Sequence, residues 1–165
     1  MPAKAANASK YRTRDADRIW TEEERAAMQA SARERKASST RDPAAERAAG
    51  LEDLMGAIAR MPTDDRAMAE RIHAIVTGAV PSLVPKTYYG MPAYAREGKD
   101  GKVIGFFKPK SKFKVRYSTF GFQPDAALDD GDLWPTEFAI IRLTSDVEAR
   151  LEALVRKAAG PMVGS

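Results

Sequence analysis

The sequence contains no cysteine and a single histidine, His73. The first absence excludes disulfide scaffolds, thiolate metal centres and cysteine nucleophiles. The second excludes a multi-histidine metal site within one chain. No apolar run approaches the roughly 18 residues needed to span a bilayer, and the N-terminal lysines and arginines are not followed by the hydrophobic segment of a secretory signal. Several signatures are missing as well: G-x-x-x-x-G-K-[ST], G-x-G-x-x-G after a strand, H-E-x-x-H and G-x-S-x-G. No carboxylate pair sits in the apolar setting that would raise its pKa for acid catalysis. These absences predict a cytoplasmic protein with no membrane partner, no catalytic residue set and no enzymatic activity.

The 165 residues fit one domain with an appendage. Apolar residues make up 44% and charged ones 30%, as in a globular protein. The net charge is +4, and it is unevenly spread. Residues 1–50 carry 11 Lys/Arg against 8 Asp/Glu, and residues 51–165 carry 16 against 15. Residues 1–18 hold only Tyr11 as a bulky anchor, too little burial to offset ordering entropy, which predicts a flexible basic arm. Residues 19–37 read as an N-terminal helix. Thr21 and Glu24 form a capping box, Glu22 and Glu23 suit the positive end of the dipole, and Arg33, Arg35 and Lys36 suit the other end. Its apolar face is limited to Trp20, Met28 and alanines, so the sequence leaves open whether it docks. Residues 38–50, with Ser38-Ser39-Thr40-Arg41-Asp42-Pro43, read as a linker, and 161–165 as a tail.

A compact domain is expected over 51–160. Leu51, Leu54, Met55 and Ile58 recur at helical spacing up to Pro62. Thr63 caps a second helix carrying Met68, Ile72, Ile75, Val76 and Ala79, which Pro81 ends. Ser145 and Glu148 form the capping box of a third, with Val147, Leu151, Leu154, Val155 and Ala158 on its stripe and Gly160-Pro161 closing it. Between them the period falls to two. Asp100-Gly101 marks a hairpin turn between 93–97 and 102–107; Val103–Phe107 is apolar on both faces, as an inner strand is. Phe113, Val115 and Tyr117 alternate with Lys112, Lys114 and Arg116, the pattern of a half-buried strand, and Glu137–Leu143 reads as another. Short strands in succession predict an α+β fold: a two-layer sandwich in which helices pack an antiparallel sheet of about four or five strands.

Three blocks, Lys86–Tyr94 (KTYYGMPAY), Lys112–Phe122 (KFKVRYSTFGF) and Leu128–Ala139 (LDDGDLWPTEFA), resemble in register the YdhG-like family, a bacterial domain of unknown function. The likeness covers about Leu51 to Ala159, and Trp20–Arg25 resembles the N-terminal extension of one branch. The resemblance implies a compact domain shaped like frataxin, and a role for some relatives as intracellular iron chaperones.

Three clusters are candidate sites. Tyr88, Tyr89, Met91 and Tyr94 surround Gly90 and Pro92. Their phenols form either the mouth of a small pocket or a packed structural corner, and the corner is the preferred reading. Lys112, Lys114 and Arg116 would share one strand face and form an anion-binding surface for nucleic acid or an acidic protein, or else a solvated face. Asp129, Asp130 and Asp132 are close enough to share a hard cation such as iron, loosely and with weak affinity, or else cap a turn. His73, with only Glu70 on its helical face able to pair with it, reads as a boundary histidine.

Overall fold

A computed structural model describes residues 21–38, 42–98 and 100–161. The expected basic arm at 1–18, and the tail beyond Pro161, lie outside the described residues. The elements are α1 (Glu22–Ser38), α2 (Pro43–Ala59), α3 (Thr63–Ala79), β1 (Val84–Tyr88), β2 (Met91–Ala95), β3 (Val103–Lys108), α4 (Lys110–Phe113), β4 (Ser118–Phe122), β5 (Glu137–Ile140) and α5 (Ser145–Ala159). The five strands form one sheet in chain order, antiparallel throughout. The fold is the expected α+β arrangement, with β3 at the centre, as its two apolar faces predict.

One sheet face carries Tyr94, Phe107, Phe120 and Ile140 into the main core, where they meet Leu54 and Ile58 of α2, Ile72 and Val76 of α3, and Leu151 and Val155 of α5. Burial of these side chains, worth about 1.5–3 kcal/mol each, is the principal force holding helices to sheet. The other face gathers a smaller cluster of Met91, Ala93 and Phe106, with Tyr88, Tyr89, Val103 and Phe113 beside it. A register shift between Tyr94 and Ala95 accompanies a break in the alternation of β3: Ile104 joins the main core although Phe106, two residues on, packs on the opposite face.

Residues 43–50 are not a linker. Pro43 opens α2 at the first helical position, and the Asp42 side chain caps it by accepting from Ala45 N–H at 2.8 Å. A Cβ on Gly50 would lie 2.1 Å from the Pro85 carbonyl oxygen, so the absent side chain is what lets α2 pack directly on β1. Arg47 fastens the same junction. Its guanidinium donates to the carbonyls of Pro81, Ser82 and Leu83 and to Glu97 at 2.7 Å. The domain therefore begins near Asp42, and Leu51 and Met55, expected on the buried stripe, are 40% and 43% exposed.

The helix starts shift slightly. Pro62, with no side-chain bond, precedes α3 in place of Thr63, and Thr144 caps α5 in place of Ser145, accepting from Val147 N–H at 3.3 Å. The capping box of α1 forms as read, with Glu24 N–H donating to the Thr21 hydroxyl and Thr21 N–H to the Glu24 carboxylate. This helix docks. Ala27 and Ser31, one turn apart, are buried; Glu34 accepts from Gly90 N–H at 3.1 Å, and Glu23 lies 3.5 Å from the Lys114 ammonium.

The largest departure is at 110–117. The alternation of Phe113, Val115 and Tyr117 does not form a strand: Lys110–Phe113 is one helical turn, and Lys114 follows in the left-handed conformation at φ 53°. Two side chains impose the turn. Asp65, 2% exposed, accepts from Ser111 N–H at 3.1 Å, and Ser118 accepts from Lys110 N–H at 3.0 Å. A strand would leave the buried Asp65 carboxylate without this donor, and that loss outweighs the local alternation.

Candidate anion-binding groove

The Tyr88–Tyr94 block is a structural corner. Tyr89 and Gly90, at φ 51° and 77°, make a two-residue connection between β1 and β2 with both residues left-handed. The three phenols do not converge. Tyr88, Tyr89 and Met91 belong to the smaller cluster, where the Tyr88 ring meets Tyr89 edge-on at 4.5 Å and Phe106 at 5.4 Å. Tyr94 points through the opposite face into the main core, and its hydroxyl is 3.0 Å from Nδ1 of His73. Burial pushes the Tyr94 phenol well up and pulls the His73 imidazole below its ordinary value. Burial, followed by the neighbouring Tyr89, also raises Tyr88. A pocket mouth built from all three phenols is therefore not present.

The expected metal set does not assemble. Asp129, Asp130 and Asp132 are exposed along the segment between β4 and β5, and no group of three carboxylate or histidine side chains able to hold an ion occurs among the described residues.

Lys112, Lys114 and Arg116 separate because their segment turns. Lys112 folds back on the corner, donating to the Tyr89 carbonyl at 2.7 Å; burial lowers its pKa, and the nearby Glu34 opposes that shift. Lys114 faces Glu23 of α1. Arg116 goes the other way. It leads into a groove of about 560 Å³ between the start of α3 and the ends of β4 and β5.

This groove collects Arg71, Lys110, Arg116 and Arg142, with carboxylates at Asp64, Asp65 and Glu148. Two of the carboxylates are already engaged: Asp65 by Ser111 N–H, and Glu148 by Arg71, whose Nε and Nη2 donate at 2.6 and 3.0 Å. The Arg71 bond holds the Glu148 carboxyl below the usual carboxylate range. Lys110, Arg116 and Arg142 have no ion-pair partner among the described residues. The Arg116 guanidinium lies 5.2 Å from the centre of the Tyr117 ring, and Tyr117 and Ile141, which line the same groove, expose 37% and 61% of their surfaces. Chemically, the groove offers three cations without an ion-pair partner among the described residues, together with the Asp64 carboxylate and an apolar rim, which suits an anion with flat or apolar parts.

A second cavity, about 860 Å³ between α2 and the β1–β2 hairpin, is different in character. Its arginines are spent on structure: Arg47 on the 81–83 carbonyls and Glu97, and Arg96 on the Ala159 and Asp125 carbonyls.

Of the groove's cations, only Arg116 was among the three residues expected to bind an anion. Lys110 precedes them in the same basic run, and Pro109 before it is the one local sign of a turn. Arg71, Ile141 and Arg142 come from elements distant in the chain, and no local pattern points to them. Comparison with family models, with curated proteins and with solved structures finds no match to this chain.

Proposed function

We propose that this chain is a binding module of the YdhG-like kind whose ligand is a nucleic acid, held by its phosphates in the groove between α3 and the β4–β5 ends. The observation that carries the reading is the presence of Lys110, Arg116 and Arg142 on one groove without carboxylate partners among the described residues. Unpaired cations beside each other repel, and a phosphate chain relieves that repulsion while releasing counterions. Iron handling has no converging ligand set among the described residues to support it.

Fluorescence anisotropy of a labelled single-stranded oligonucleotide, titrated with the full chain over a salt series, tests the proposal. Neutralising about three phosphates predicts a log–log slope of about −2. Affinity independent of salt, or no binding at low salt, overturns it. Polyglutamate displacing the oligonucleotide at equal charge concentration would move the ligand class to acidic protein and overturn the nucleic-acid reading.

A further inference from the structure

We infer that Tyr117, with Ile141 beside it on the neighbouring strand, forms an exposed platform on which an unpaired base stacks, so that the ligand is single-stranded nucleic acid rather than duplex. The inference rests on the phosphate-binding reading of the same groove. Four observations carry it. β4 and β5 pair Ser118 with Ile140, and continuing that register sets Tyr117 across from Ile141 at the groove wall. Both side chains are exposed, although a tyrosine and an isoleucine would ordinarily turn inward. Arg116 covers one face of the phenol ring, and no aromatic ring of the described residues packs on the other. Lys110 and Arg142 line the same groove as Tyr117 and Ile141, and supply countercharge there for phosphates flanking a stacked base.

An aromatic ring flanked by cations is how sequence-tolerant single-strand sites are built, because every base has a π-face while the charges follow the backbone. Duplex bases are already stacked on one another, so a duplex offers this platform only its phosphates. A purely apolar partner would bring the three cations no countercharge, whereas a phosphate chain does.

The experiment compares three labelled ligands with the full chain: an oligothymidylate of about 15 nucleotides, the scale of single-strand sites; an abasic strand of equal length and charge; and the corresponding duplex. The oligothymidylate is expected to bind about tenfold more tightly than the abasic strand, consistent with one or two stacked bases. Tyr117→Ala should reduce the oligothymidylate to the abasic level, and Tyr117→Phe, which keeps the ring, should retain the difference. Circular dichroism checks that both variants keep the fold, as expected for an exposed side chain. Equal wild-type affinity for the oligothymidylate and the abasic strand overturns the stacking platform while leaving the charge reading standing, and so does a Tyr117→Ala variant that keeps the difference. Tighter binding of duplex than of single strand also overturns it. Absence of binding to all three overturns both.

Discussion

The imidazole Nδ1 of His73 on α3 lies 3.0 Å from the Tyr94 hydroxyl on β2, joining helix layer to sheet by a polar contact within an apolar core. The rings also lie nearly parallel, with centroids 5.9 Å apart. Half-buried and with burial as the cause, His73 binds a proton less readily in the folded state than in the unfolded chain.

The sign of the pH effect follows. The folded pKa is depressed, so the unfolded state holds more protons at mildly acid pH. The contribution of His73 is fully present above its unfolded value of about 6.5 and is lost as pH falls below that toward the folded value. Urea denaturation midpoints are expected to decline from pH about 7.5 to about 5.5, a window above most carboxylate titration. The decline should be reduced in His73→Gln. An equal decline in the variant would show that other groups control this range.

Gly50 presents two opposed effects of known size. Glycine to alanine inside a helix ordinarily stabilises by about 1 kcal/mol. Here the new Cβ would sit 2.1 Å from the Pro85 carbonyl oxygen, a backbone atom that cannot turn aside. Overpacking of this kind costs about 1–3 kcal/mol or more, and the clash wins. Gly50→Ala is expected to lower the thermal midpoint. A raised midpoint would mean that α2 moves off β1 at little cost.

Asp65 organises the segment that builds the groove. Its carboxylate is buried and accepts from Ser111 N–H. Asp65→Ala removes the acceptor of the Ser111 N–H, a hydrogen bond worth about 1 kcal/mol. Amide shifts of residues 110–117 should move more than those of the distant β1–β2 corner. A uniform loss of stability without selective shifts at 110–117 would contradict this local role.

The elements legible in the sequence are those whose signals agree with their tertiary surroundings. The stripe Ile72-Ile75-Val76, the turn at Tyr89-Gly90 and the doubly apolar Val103–Phe107 each carry their own period or punctuation. The segment 113–117 has an equally regular period, yet it turns, because Asp65 from 46 positions earlier supplies the deciding hydrogen bond. The stretch 43–50 has small residues and no large apolar stripe, and its helix is held by a glycine contact and an arginine clasp to chain 30 or more residues away. The groove has the same origin: Arg116 and Tyr117 are adjacent in sequence, but Arg71, Ile141 and Arg142 reach them only through the fold.

The most direct test separates where charge sits from how much there is. Arg116→Glu with Arg142→Glu reverses two groove cations; Arg150→Glu with Lys157→Glu reverses two exposed cations on α5 and leaves the same net charge. Oligonucleotide affinity at low salt should fall at least tenfold in the first pair, and the salt slope should flatten, while the second pair stays close to wild type. An equal loss in both pairs would mean that net charge alone attracts the ligand and would contradict the groove.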